Sequence, residues 1–445
     1  MMARMKHVLF IGSLLALIFS PTTTASAAVP EIQPWLTQTF PRLQTLYQNL
    51  HAHPELSFHE EKTSAQIAAA WRAAGYEVTP NVGGFGVVAV LRNGAGPTVL
   101  LRTETDALPV TEQTGLPFAS TVTTKDEAGN SVGVMHACGH DIHMTALVGT
   151  AELLAQLTNR WHGTLVLIAQ PAEERGGGSK AMLADGLFTR FPKPEVCLAF
   201  HDSADAPAGQ ITYTSGYSSA NADSVDITVR GIGGHGAHPQ KTKDPVLLAA
   251  QIVVALQTIV SRETRPGEAV VVTVGTIHGG TKNNIIPDEV KLQLTVRTFG
   301  DESRTQTLNA IKRIVNGCAV TAGVPADLMP VIKFGADYTP SLYNDPALTE
   351  RLVSLFGAEF GATNVVAKEA GTGAEDFSRY GRTADKIPIC MFNVGAVNPA
   401  VYAAAKKDGT ALPSLHSSKW APDAEPAIKT GITALTLAAL DLLAH

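Results

Sequence analysis

The sequence predicts an α/β protein: a mixed, largely parallel sheet with helices on both faces, interrupted by an inserted ferredoxin-like α+β domain. Three observations carry this reading. Short apolar runs of strand length alternate with helical patterns before residue 221, and the same character resumes near Tyr338. The stretch between them changes to alternating strands. With 445 residues, 45% of them hydrophobic, the chain is also too long for one ordinary core.

The elements follow in order. Arg4 and Lys6 precede the apolar run VLFIGSLLALIF (8–19), and Ala25-Ser26-Ala27 then forms a small-residue cleavage site. This reads as a signal peptide over 1–27. The run is short for a span of about 20 residues, and no other stretch reads as long and apolar enough to cross a bilayer. The mature chain is expected to be exported, to a bacterial periplasm or beyond the cell, free of the membrane after cleavage. Helical periodicity covers 31–50 and 61–75, where Gly75 stops it. Residues 86–91, 98–102, 164–170 and 196–200 read as buried strands, with helical patterns at 144–157 and 179–188. The main domain is thus assigned to 28–221 and, after the insertion, to 336–445, ending in the helix PAIKTGITALTLAALDLLA.

The insertion is assigned to 222–335. SVDITVRG (224–231) alternates as a strand. Residues 244–262 read as a helix, with Asp244 as N-cap and Pro245 at the first helical position. AVVVTVGTIHGG and EVKLQLTVRTF are two more strands, ESRTQTLNAIKRIVNGC a helix, and LMPVIKFG a last strand. That β-α-β-β-α-β order is ferredoxin-like.

The net charge of −6 argues against a nucleic-acid partner, which calls for a basic face. Export permits disulfides, but Cys138, Cys197, Cys318 and Cys390 are too widely spaced for a disulfide framework. Cys197 and Cys390 lie in apolar runs and read as core thiols. Only Cys138 sits among polar residues, in VMHACGHDIHMT.

Three strand ends carry the chemistry. TVLLR runs into Glu104 and Asp106, TLVLIAQP into Glu173 and Glu174, and VCLAF into His201 and Asp202. In α/β sheets, sites collect outside the carboxyl ends of the strands, so one shared polar crevice is expected. A thiolate at Cys138, just before the helix at 144–157, is favoured by free N–H groups and the helix dipole, and His140 lies beside it. Two metal ions about 3.5–4 Å apart need a bridging ligand and several terminal ones. Cys138, His140, Glu174, His201 and a late histidine, His416 in LPSLHSSKW, would suffice. One glutamate of the pair then stays free as general base, the arrangement for metal-assisted amide hydrolysis. His136 and His143 read as supporting residues, Asp141 as the start or cap of the helix. His51, His53 and His59 read as structural or cleft-lining. The glycines of ERGGGS lack the G-K-[ST] of a phosphate loop.

HACGHDIHMT, QPAEERGGG, GGHGAHP, GGTKNNIIPDE and LHSS, in this order along nearly the whole mature chain, resemble peptidase family M20, closest to its amidohydrolase subfamily D. That group holds hippurate hydrolases, N-acyl-amino-acid amidohydrolases and auxin-conjugate hydrolases. The resemblance implies two divalent ions (zinc, manganese, nickel or cobalt), with Cys138 as bridging thiolate and His140, Glu174, His201 and His416 as the other ligands. It implies Glu173 as general base and Asp106 as the acidic support of the metal site. The insertion resembles the family's lid, which also forms a homodimer interface. His235 matches the lid histidine that stabilises the oxyanion, in several members from the partner subunit, and Asn284 and Arg297 match lid positions that contact the substrate. The implied substrate is a small N-acyl amino acid or short peptide. Thr103 and Glu104 depart from the R-A-D-x-D-A-L-P of many relatives; Ala374 replaces a Gly or Ser, and Asp202 directly follows His201. These flank the site without removing a ligand. His238 reads as local.

Two other readings compete. In a cysteine-nucleophile amidase, Cys138 would be activated by a nearby histidine, which leaves the glutamate pair and His416 without a role. A non-catalytic binding protein of the same fold would be expected to lack the base or a ligand, and neither is missing.

Overall fold

The computed structural model describes residues 29–125 and 129–444, so the expected signal peptide lies outside the described residues. The main domain is built on an eight-stranded sheet. Across it run Glu77–Val82, Gly86–Asn93, Gly163–Gln170, Thr98–Glu104, Val196–Pro207, Ile389–Val397, Ile211–Tyr213 and Val365–Ala367. The four central strands, Gly163–Gln170 to Ile389–Val397, are mutually parallel, while the first two pair antiparallel. The sheet is therefore mixed with a parallel centre, as expected. The first halves of its central strands are largely apolar because both faces are covered.

One face packs against Ile32–Ala52, Glu61–Ala73, His140–Gln156, Pro346–Phe360 and Ala424–Leu443 in the largest core. The other face holds Met182, Leu187, Phe377 and Tyr380. Cys197 and Cys390 sit on paired strands, yet Cys390 belongs to the first core and Cys197 to the second. Pointing to opposite faces, they cannot bridge, and all four cysteines are free.

The insertion has its own core, formed by residues such as Val225, Ile252, Leu292 and Ile311. Its antiparallel sheet runs Val271–Gly279, Glu289–Thr298, Asn221–Arg230, Val331–Phe334. The helices Pro245–Thr258 and Asp301–Thr321 complete the ferredoxin-like order. Asp244 accepts from Val246 N–H and Leu247 N–H, with Pro245 at the first turn, which is the expected N-cap.

One expectation is corrected and another is narrowed. By length and composition alone, Pro245–Glu263 and Ala424–Leu443 are both apolar enough to cross a membrane. Ala424–Leu443 is apolar all round because it is packed all round, with 83% of its window buried. Pro245–Glu263 is 33% buried and leaves Leu247 and Val254 facing outward. Asp141 begins its helix, in the first turn, but does not cap it: the helix starts at His140 behind a left-handed Gly139, and Asp141 Oδ2 lies 2.6 Å from His51 Nδ1.

Candidate active site

The sheet brings the expected residues to one place because parallel strands end on the same side. Asp106 follows Thr98–Glu104, Glu173 and Glu174 follow Gly163–Gln170, and His201 lies on Val196–Pro207. Cys138 enters from the turn before His140–Gln156, and His416 from the loop before the last helix, its N–H bonded to Ala137 O at 2.8 Å.

Cys138 Sγ lies 3.2 Å from His416 Nε2 and 3.5 Å from His201 Nε2. Glu174 Oε1 lies 3.4 Å from His416 Nε2 and 4.0 Å from His140 Nε2. The two inner histidines share one posture. His140 Nδ1 is bonded to Asp106 O at 2.7 Å, and His201 Nδ1 to Asp202 O at 2.8 Å. A backbone oxygen on Nδ1 fixes the tautomer that leaves Nε2 as a free lone pair, the usual arrangement of a metal-ligating histidine. His140 Nε2 and Glu174 Oε1 are buried with no hydrogen-bond partner. Orphaned acceptors facing a thiol and two imidazoles are a donor set for cations, and the residues fit a pair of divalent ions.

The electrostatics agree. Neighbouring Glu104, Asp106 and Glu174 outweigh burial and raise His140 to about 10, a proton that bound cations would displace. Burial, then Glu174, Glu173 and Asp202, push the Cys138 thiol well above its ordinary value. The expected help from the helix N-terminus is thus overwhelmed by surrounding carboxylates. A thiol held protonated is a poor nucleophile, which disfavours the cysteine-nucleophile reading despite its histidine neighbours.

Glu173 is held well above the usual carboxylate range by burial and by Glu375, Glu174 and Asp376, with Arg102 opposing. That suits a general base. Asp106 Oδ2 accepts from Ser57 Oγ (2.6 Å) and from Glu174 N–H (3.0 Å), so it secures one ligand by its backbone while its carbonyl secures another.

Two supports escape the sequence reading, and a third residue, His143, fills the supporting role expected of it. Arg102 is wholly buried and bonds Glu104, Gln170, Glu375 and Asp376; its signal is a charge inside an apolar strand. His143, expected only as a helper, bridges Glu104 (3.1 Å) and Asp202 (3.2 Å). Glu60 Oε1 accepts Ala172 N–H at 2.7 Å, just before the glutamate pair, where Ala172 adopts φ +49°. Of the remaining histidines, His51 is buried between Asp141 and Glu112, His136 is buried with neither ring nitrogen bonded, and His53 and His59 are exposed.

The lid residues divide. Arg297 lines a cleft of about 680 Å³ together with Cys138, Glu173, Glu174, His201 and His416. His235 and Asn284 do not line it; they are exposed side by side, His235 pairing with Ile285 and Asn284 O accepting Gly236 N–H.

The sequence model of the family described as Peptidase family M20/M25/M40 matches residues 100–410. Thermostable carboxypeptidase 1 of Saccharolobus solfataricus is 35% identical over 416 residues, 93% of this chain and 96% of that one. Hippurate hydrolase of Campylobacter jejuni is 41% identical over 271 residues, 61% of this chain and 68% of that one. Among solved structures, the YXEP protein of Bacillus subtilis, described as a dinuclear metal binding peptidase from the M20 family, superposes with a TM-score of 0.72 at 29% identity. That match covers 92% of this chain and 99% of the other.

Proposed function

The chain belongs to peptidase family M20, and from that membership we infer a metal-dependent amidohydrolase that cleaves the amide bond of N-acyl amino acids or short peptides. The observation that carries the reading is the pair of orphaned buried acceptors, His140 Nε2 and Glu174 Oε1, facing Cys138 and His416. Relatives described as a carboxypeptidase and a hippurate hydrolase support the substrate class.

Cys138, His140, Glu174, His201 and His416 would hold two divalent ions, which when bound supply Lewis acidity and lower the pKa of a water. Glu173 takes the proton of the attacking water and delivers it to the leaving nitrogen. Its raised proton affinity suits the second transfer, and cations held by the neighbouring ligands would lower it for the first. Asp106 holds the Glu174 backbone and the His140 ring in register.

His235 belongs in this scheme as the oxyanion donor of a second copy of the chain. Its exposure outside its own cleft supports that role, as does an apolar lid surface with Leu247 at 59%, Val254 at 72% and Ile277 at 52% exposure. Val271–Gly279 is also an outer strand of the lid sheet, open to pairing. We therefore include a homodimer through the lid. The basic start and apolar run of the sequence support export to the periplasm or beyond.

Glu173→Gln tests the core of the reading. Metal content should stay near that of the wild type while turnover on N-acyl amino acids falls by at least about a thousandfold. Unchanged turnover removes Glu173 from the role of base.

A further inference from the structure

The acids and bases lining the cleft are equal in number, but they are not all paired with one another. Glu174 is committed to the ligand cluster and Glu173 to proton transfer. Glu375 bonds Arg102 at 2.9 Å. Asp337 is neutralised by Lys180 at 2.8 Å and Arg379 at 3.1 Å. Two cations lining the cleft, Arg297 and Lys368, have side chains with no ion-pair or hydrogen-bond partner among the described residues.

They come from different domains. Arg297 lies on the lid strand Glu289–Thr298, and Lys368 directly follows the sheet strand Val365–Ala367. The backbone of Lys368 is pinned on both sides: its N–H bonds Tyr213 O at 2.8 Å and its carbonyl accepts Thr214 Oγ1 at 3.0 Å. The pinned backbone roots the flexible side chain at the cleft wall. Burial lowers the proton affinity of both Arg297 and Lys368, and the only acids acting on them, Asp223 and Asp205, do so at a distance. Asp223 is itself bonded by Arg304 at 2.6 Å. Neither cation is held in an ion pair, so each can meet an incoming counter-charge without first breaking one. The free carboxylate of an N-acyl amino acid accounts for one of them. The other is open to a second anionic group.

We propose that the cleft is built for a dicarboxylic substrate, an amide with one carboxylate for Arg297 and a second, on the released amino acid or on the acyl group, for Lys368. The proposal rests on the amidohydrolase reading. Lys368 acts as a specificity determinant and takes no part in bond cleavage.

The test uses the mature, metal-loaded protein at low ionic strength, where charge contributes most. Two near-isosteric pairs place the second acid on either side of the scissile bond: N-acetyl-L-glutamate against N-acetyl-L-glutamine, and N-succinyl-L-alanine against N-succinamoyl-L-alanine. In at least one pair, wild type should favour the acid by about tenfold in kcat/KM, mainly through KM. Lys368→Ala should erase that preference while leaving the neutral partner within about twofold, and Lys368→Glu should reverse it. Equal kcat/KM within both pairs, or a preference that survives in Lys368→Ala, overturns the proposal. Turnover of the neutral substrates, lost in Glu173→Gln, reports separately on the amidohydrolase reading.

Discussion

Glu60 tests how the general base is held in place. Its carboxylate is fully buried, one oxygen accepts Ala172 N–H and the other has no partner. Burial, with Asp106 adding to it, raises Glu60 from 4.5 to about 7. A tenfold change in proton affinity is worth about 1.4 kcal/mol, so ionised Glu60 weakens the fold by about 3 kcal/mol at pH 8. The sign follows from linkage. The folded pKa exceeds the unfolded one, so the native state keeps the proton more tightly and stability falls as pH rises from about 4.5 through about 7. Glu60→Gln keeps a carbonyl for Ala172 but cannot ionise. Its stability relative to wild type should climb by about 2–3 kcal/mol between pH 5 and pH 8 and then level off. Denaturant unfolding of the two proteins at matched pH measures this. Glu60→Ala removes the acceptor itself. A buried N–H without a partner costs about 1–3 kcal/mol, and Ala172, at φ +49°, sits in a region that disfavours alanine by about 1–2 kcal/mol. The turn should relax and carry Glu173 out of line, lowering kcat by about 10²-fold at unchanged metal content. A stability difference flat with pH refutes the charge argument. Full activity in Glu60→Ala refutes the positioning argument.

Other expectations follow from the same geometry. Cys138→Ser should lower bound metal from about two ions per chain to one or fewer, read by elemental analysis of the purified protein. If His235 serves the partner's site, inactive His235→Ala and Glu173→Gln proteins should complement one another. Half of randomly re-formed dimers are mixed and each has one complete site, so mixing restores about a quarter of wild-type activity; no recovery under conditions of subunit exchange refutes the shared site. Arg102→Met should destabilise the fold by about 3–5 kcal/mol by leaving Glu104, Glu375 and Asp376 buried without their cation, seen as a fall in melting temperature.

The parts legible in the sequence were those governed by periodicity and by strand ends. Asp106 and Glu174 follow apolar strands and His201 follows the apolar first half of one that runs on to Pro207, and parallel pairing sets these points side by side whatever the loops do. The ferredoxin-like order could be read because alternating strands and an Asp244-Pro245 helix start are local signals. Arg102 was not legible as a hub, since its partner Glu375 is 273 residues away and nothing local distinguishes a buried ion pair from the end of a strand. The partner of Asp141 was not legible for the same reason: its place at the helix start could be read, but not that His51, 90 residues earlier, holds its carboxylate. Lys368 follows a short edge strand and looks like any solvated lysine until the cleft is seen.

The oddest of the proposed ligands is the Cys138 thiolate, which under the proposed export would work in an oxidising compartment. Two states of the site bear on its survival. With cations bound, the sulfur is a ligand and its lone pairs are engaged. Without them, burial and three carboxylates keep the thiol protonated, and oxidation and exchange proceed through the thiolate. A resolving cysteine is also missing from its surroundings: Cys197 and Cys390 are buried on opposite faces of the sheet, and Cys318 belongs to a lid helix. The carboxylates around the proposed ion site would therefore also protect the sulfur in the absence of ions. That would let a cysteine serve at this position. It also means that removing Glu174 would do more than subtract a ligand: it would lower the barrier to Cys138 ionisation and expose the empty site to oxidation.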